Sequence, residues 1–259
     1  MYNDIAVFYD KSIDTDNYFD NIADFAEEII RQGDSYKLYT EKKEKPIVLD
    51  CACGTGRLTK GLYERGFDML GLDISESMLD TARDVCSGLP VQFICQDMCD
   101  MDLFGSVAAI TCMTDSVNHI TDTRALESFF AKCYNFLDPG GVLIFDVLTD
   151  KYFQGMEEGK CFFEDYDWGS CFWMGAYDSK RRLCKYNISY FEYTGNKKGK
   201  ETYIRTDDYI TEKIWSVRTL QQIMKKTGFS HIEMYDNIRF EQANNDSRRI
   251  YFVARKTSN

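Results

Sequence analysis

Five short apolar runs punctuate the first 150 residues: IVLDCA from residue 47, DMLGLD at 68–73, VQFIC from 91, VAAITCM at 107–113 and VLIFDVL from 142. They are apolar on successive residues rather than on alternate ones. That is the pattern of strands buried on both faces, as in a parallel sheet. Pro46, Pro90 and Pro139, the chain's three prolines, each stand before such a run. Between the runs the period becomes helical. Residues 57–65 follow the first run. Residues 75–85 follow the second, with Ser75 placed as N-cap and Met78, Leu79 and Ala82 on one face. Residues 123–137 set Leu126, Phe129, Phe130 and Cys133 along one stripe ahead of the fifth run. Strand–helix alternation predicts right-handed crossovers and an α/β, doubly wound sheet, mostly parallel, with helices on both faces.

The flanks depart from this rhythm. Tyr18, Phe19, Ile22, Phe25, Ala26 and Ile29 recur at helical spacing, so 17–31 is predicted as an amphipathic helix. EKKEKP at 41–46 is a charged connector, and residues 1–45 form an N-terminal helical cap. Residues 151–213 hold 15 of the chain's 38 aromatics in short segments such as CFWMGAYD and LCKYNISYFEY. They predict an inserted antiparallel β subdomain, a lid or substrate wall, with 195–199 as a hairpin loop. After it, 216–227 reads as a helix ended by Gly228, and 231–238 and 250–255 read as two final strands that bring the sheet to seven. Residues 46–150 and 214–259 together make the main domain.

Composition narrows the partners. The formal charge of −11 argues against a nucleic-acid surface, which must neutralise phosphates with clustered Lys and Arg. The inserted segment is neutral, so the whole excess lies elsewhere. No apolar run approaches the ~18 residues of a membrane-spanning helix. The N-terminal stretch lacks a cationic n-region, so it does not read as a secretory signal and a cytoplasmic protein is expected. Ten cysteines without a C-x-x-C, and only two histidines, predict reduced thiols and no metal site.

The chemistry centres on Val48 to Leu58. A strand ends in Asp50, Cys51, Ala52 and Cys53, turns at Gly54-Thr55-Gly56 and opens a helix. Glycines there permit unusual backbone angles and a close approach by a ligand. The helix start offers free N–H groups to an anionic end. Asp73, 19 residues after Gly54, is placed to accept ribose hydroxyls, a role its pairing with the glycine turn favours over the plainer one of capping the next helix. The dinucleotide fingerprint G-x-G-x-x-G would need Gly or Ala where Thr59 stands, which weakens an NAD reading.

Taken together, DCACGTGR, then GLDISESML, then CQDM resemble the class I S-adenosylmethionine-dependent methyltransferases, most closely the small-molecule branch. DSVNHI at 115–120, the GGVLIFDV strand and the closing RIYFVARK add softer similarity. The resemblance implies that Asp50, Cys51, Ala52, Gly54 and Gly56 surround the methionine part of S-adenosylmethionine. It implies that Asp73 holds the ribose, with Ile74 and Met78 packed on ribose or adenine. Asp97 and the Met98 backbone would take the adenine edge, Cys112 and Met113 would line the site beside the methyl group, and Tyr9 and Tyr18 would close over it. The plainer roles are turn acid for Asp97 and core filling for Met78 and Met98.

The expected reaction is in-line methyl transfer to a small-molecule acceptor, with an amine favoured, by a monomer or homodimer. A general base is optional, and Asp115 and His119 after the fourth strand are its candidates. A non-catalytic S-adenosylmethionine-binding regulator and an NAD-dependent oxidoreductase are the rival readings.

Overall fold

The computed structural model describes residues 17–156 and 159–258. Strands β1 (Ile47–Cys51), β2 (Asp68–Asp73), β3 (Gln92–Cys95), β4 (Val107–Cys112), β5 (Leu137–Leu148), β10 (His231–Tyr235) and β11 (Arg249–Arg255) form one sheet in the order β10-β11-β5-β4-β1-β2-β3. Only β11 runs against its neighbours. The predicted seven-stranded, mostly parallel sheet is therefore present. The continuous apolar runs follow from its two covered faces. Along β5, Leu143, Phe145 and Val147 enter one core, and Val142 and Ile144 enter the other. β3 differs from its prediction as a buried strand: Phe93 and Ile94 are only half-buried, because β3 forms the sheet's edge.

Helices α1 (Tyr18–Arg31) and α3 (Arg57–Glu64) cover one face, with Ile22, Phe25, Ile29, Leu58 and Leu62 in its core. Helices α5 (Thr123–Phe136) and α7 (Val217–Lys226) cover the other through Phe129, Phe130, Leu220 and Met224. Helix α4 (Glu76–Val85) starts as predicted, with Ser75 Oγ accepting from the Met78 N–H at 3.3 Å. Helix α2 (Asp34–Glu41) was not visible in the apolar pattern. It buries only Ser35 and is held to β5 by polar contacts, as the Ser35 and Tyr39 hydroxyls donate to Asp138.

The inserted segment begins with the short helix α6 (Asp150–Phe153). It continues as β6 (Lys160–Tyr166), β7 (Gly169–Asp178), β8 (Leu183–Lys197) and β9 (Lys200–Lys213), an antiparallel sheet in chain order. The hairpin loop is tighter than predicted. Residues 195–197 stay in the ladder, and Lys198 and Gly199, with φ of 54° and 77°, make the two-residue turn that suits strand twist. The sheet's inner face, with Cys171, Tyr177, Cys184, Tyr186, Ile188, Tyr190 and Ile210, forms a third core that includes Leu148 at the end of β5.

Candidate functional site

In an open α/β sheet, ligands gather outside the carboxyl ends of the strands, where the strand order reverses. Here β2 and β4 lie on opposite sides of β1, and a cavity of about 520 Å³ opens beyond those strand ends. Its floor comes from the turns after β1, β2 and β4; its roof is the inner face of β7, β8 and β9.

The turn after β1 is shaped by three positive φ angles, 56° at Ala52, 53° at Gly54 and 76° at Gly56. The two glycines do different work. A Cβ on Gly54 would meet nothing within 4 Å, so this position opens onto the cavity. A Cβ on Gly56 would lie 2.9 Å from the Ala82 Cβ, so this glycine lets α3 approach α4. Asp50 is buried below the turn. Its carboxylate accepts from Thr59 Oγ1 at 2.6 Å and Thr111 Oγ1 at 2.9 Å. Thr59, the residue that breaks the dinucleotide fingerprint, is thus a clamp on Asp50. Burial pushes the Asp50 carboxyl up to about 6, while the Thr59 and Thr111 hydrogen bonds oppose that rise.

Asp73 ends β2 at the cavity wall. One carboxylate oxygen accepts from the Gly54 N–H and the other from the Ser75 N–H, both at 2.9 Å. It therefore ties the glycine turn to the next helix start, and its two oxygens together can accept further hydrogen bonds. Burial raises its pKa, and backbone N–H donors at Ser75 and Gly54 pull it back.

After β4, Thr114 and Asp115 both adopt left-handed backbone, with φ of 58° and 55°. A β-branched residue in that region is strained, a state that persists only where its surroundings impose it. The turn brings the Asp115 N–H to Asp146 Oδ2 at 3.0 Å and opens the 3₁₀ segment Ser116–His119. Arg249, the first residue of β11, lies between two carboxylates: its Nη2 is 2.7 Å from Asp115 Oδ1, and its Nη1 contacts Asp146. Burial raises the pKa of both acids, and Arg249 opposes the rise. Burial alone would lower Arg249, but the charges of Asp146 and Asp115 outweigh it and hold the guanidinium ionised. His119 is pushed down to about 4 by burial and is neutral at neutral pH.

The structure brings Tyr18, Ala52, Gly54, Asp73, Ile74, Met78, Met98, Asp115 and His119 together around the cavity. Asp50, Cys51, Gly56, Cys112 and Met113 are buried beneath it and shape its floor. Asp97 is exposed, outside the lining, and accepts from the Cys99 N–H at 2.8 Å as a turn acid would. Tyr9 lies outside the described residues. Sequence reasoning missed Arg249, Glu212 and Trp173, all of which line the cavity. Glu212 left one signal. It is an acid on the apolar side of a period-two pattern, between Ile210 and Ile214, and it is buried.

A methyltransferase domain model matches residues 48–141. YqeM of Bacillus subtilis, whose name provisionally assigns it as a methyltransferase, is 28% identical over 83% of this chain and 85% of its own length. An S-adenosylmethionine-dependent methyltransferase from Clostridium acetobutylicum matches the fold at a TM-score of 0.80, with 26% identity and 99% of each chain covered. CalS10, an amino pentose methyltransferase from Micromonospora echinaspora solved with S-adenosylmethionine bound, matches at a TM-score of 0.71 over 97% of each chain and 17% identity, a likeness of fold alone. With the parallel sheet, the glycine turn and the acid at the end of β2, these matches place the protein: it belongs to the class I S-adenosylmethionine-dependent methyltransferases.

Proposed function

We propose that the protein transfers the methyl group of S-adenosylmethionine to a small amine. One observation carries this reading. A single cavity has the glycine turn and Asp73 at one end, and at the other an aromatic sheet face bearing a buried carboxylate. The first end fits the cofactor. Gly54 leaves the backbone open to close approach, and Asp73 retains acceptor capacity for ribose hydroxyls. Ile74, Met78 and Met98 offer apolar contact for a base. Ala52 belongs to the same wall, whereas Asp50, Cys51, Gly56, Cys112 and Met113 act by holding its shape. When bound, S-adenosylmethionine supplies a methyl group on a sulfonium, open to displacement by a nucleophile. The chain's own task is to hold the acceptor in line and keep water out, which can supply roughly 7–11 kcal/mol of the barrier.

The acceptor end suits a cation. Trp173, Tyr186 and Tyr190 present aromatic faces, and Glu212 presents a carboxylate. The inserted sheet thus serves as the wall of a substrate subdomain, and residues 18–31 close the cavity from the cap side through Tyr18 and Phe19. Relatives with printed acceptors include both kinds of chemistry. A Streptomyces venezuelae relative, 35% identical over 39% of this chain, is named as an N,N-dimethyltransferase of a dTDP-amino sugar; one from Methylococcus capsulatus, 36% identical over 39%, is named as a ubiquinone biosynthesis O-methyltransferase. Both support a small-molecule acceptor, and the cavity's charge favours the amine. The test is transfer of labelled methyl into a library of small amines, alcohols and carboxylic acids. Label in amines is expected; label confined to alcohols or acids refutes the amine.

A further inference from the structure

Glu212 stands where an apolar residue belongs. On the inner face of the inserted sheet it pairs across the ladder with Cys184, which pairs in turn with Tyr177. The neighbouring rung is Gly175, Tyr186 and Ile210. Glu212 is 6% exposed, and its Oε2 has no hydrogen-bond partner among the described residues. A buried carboxylate without a partner is costly, so the native state keeps it only where something else is gained. The Arg249 guanidinium, whose charge Glu212 feels, does not supply that gain, because it is paired with Asp115 and Asp146. Three carboxyl groups therefore share one guanidinium, and the neighbouring His119 is neutral.

Glu212 is also fixed in place. The Asn118 amide accepts from the Leu148 N–H at 2.9 Å and donates to the Leu148 and Lys213 carbonyls at 3.3 Å and 3.0 Å. This clamp fastens the end of β9, one residue from Glu212, to the end of β5.

Taking the acceptor to be an amine, as proposed above, we infer that Glu212 is the anion that receives its ammonium group and takes the proton that must leave before the nitrogen can attack. The carboxylate makes a charge-assisted hydrogen bond to the ammonium. One N–H bond then breaks, its proton passes to Glu212 Oε2, and its electron pair stays on nitrogen as the nucleophile. The new C–N bond would form as the methyl group's bond to the donor sulfur breaks, its electron pair staying on sulfur as a neutral thioether; the nitrogen, cationic again, would leave as an ammonium, and Glu212 would return its proton to water. Burial and the charge of Asp115 favour the protonated acid, Arg249 opposes them, and an arriving ammonium favours the carboxylate, so the group holds its charge against the bound cation and takes a proton back readily.

The cluster has a second reading. Asp115, His119 and Glu212 offer ligand atoms all within 4.8 Å of one another, close enough to hold a metal ion. Arg249 argues against it, since a fixed positive charge 2.7 Å from Asp115 Oδ1 repels a dication on the same carboxylate. An ammonium needs only one carboxylate and gains from the aromatic walls.

The test uses the full chain saturated with S-adenosylhomocysteine, with cyclohexylamine (a cation at pH 7) and cyclohexanol as probes in calorimetry. The ammonium is expected to bind at least tenfold more tightly than the alcohol. Glu212→Gln should remove that preference while changing cyclohexanol affinity less than twofold, and Glu212→Asp should restore part of it. A melting temperature for Glu212→Gln at or above the parent's shows that the fold is kept. An unchanged preference in Glu212→Gln, or equal loss for both probes, overturns the assignment. So does Mg²⁺, Mn²⁺ or Zn²⁺ binding that depends on Glu212 while the amine shows no preference. If the library labels amines and Glu212→Gln labels them at the parent rate, Glu212 fails and the amine function stands. If only alcohols are labelled while the binding preference holds, the amine function fails, the proton-transfer role falls with it, and the cation site remains.

Discussion

Asp50→Asn tests whether the acid beneath the glycine turn carries a burden in stability. The side chain is 2% exposed, and both of its clamps are threonine hydroxyls, which can donate to an amide oxygen or accept from an amide nitrogen. The substitution is nearly isosteric; it removes the charge and turns one of the two acceptor oxygens into a donor, which the hydroxyls can accommodate by rotating. Burial places the native carboxyl at about 6 against an ordinary value of 3.8. At ~1.4 kcal/mol per unit, the ionised form destabilises the native state by about 3 kcal/mol. The native state holds this proton more tightly than the unfolded chain does. Its contribution to stability is therefore full below about pH 4, falls progressively as the pH rises to about 6, and is lost above that. The amide that replaces the carboxyl does not titrate. The variant's advantage should be near zero at pH 4 and reach about 3 kcal/mol at pH 7.5, a melting-temperature gain of roughly 6–12 °C. Urea denaturation and thermal melts at both pH values measure it. A gain of the same size at pH 4 and pH 7.5, or a loss at pH 7.5, refutes the reasoning.

Three further perturbations address the site. Asp73→Ala removes both the predicted ribose acceptor and the tie between Gly54 and Ser75, so S-adenosylhomocysteine affinity should fall at least tenfold by calorimetry; unchanged affinity rejects the ribose role. Arg249→Met leaves Asp115 and Asp146 buried without a cation and should cost about 3–5 kcal/mol at pH 8. Burial already raises both acids, so proton uptake should recover part of that loss as the pH falls toward 5, and a pH-independent loss in urea denaturation would count against the triad. Asn118→Ala leaves one N–H and two carbonyls short of a partner, at ~1–3 kcal/mol for each that stays unsatisfied. Hydrogen exchange should quicken at 147–149 and along β8 and β9, with S-adenosylhomocysteine binding retained; uniform quickening across the main sheet would contradict the clamp.

The main sheet was legible because each of its inner strands had to be apolar at every position. Two covered faces leave little room for other residues, and the buried polar exceptions, Asp50, Thr111 and Asp146, are tied by hydrogen bonds or charge. The glycine turn and Asp73 were legible because their spacing is local. Helix α2 was not, because hydroxyl contacts to Asp138 rather than an apolar stripe hold it. Arg249 was not, because its partners lie more than a hundred residues away and no spacing encodes that meeting. Asp97 shows the opposite case. Its motif was recognisable, yet its carboxylate turns to a local backbone N–H and sits outside the cavity lining.

The division between cores bears on how such a site could change its acceptor. Residues of the glycine turn and of the ends of β2 and β4 are packed into the two cores that flank the main sheet, so altering them disturbs folding and cofactor binding together. The inner face of the inserted sheet belongs to a third core, which reaches the main sheet through Leu148 and is fastened there by Asn118. Trp173, Tyr186, Ile210 and Glu212 can therefore be exchanged with little strain on the cofactor end. Such exchanges would alter the shape and charge offered to the acceptor while the methyl donor's seat stays unchanged. If the acceptor is received as proposed above, its chemistry would reside in residues 171–212, and Glu212, the one buried acid of that inner face among the described residues, is the residue whose replacement should change it most.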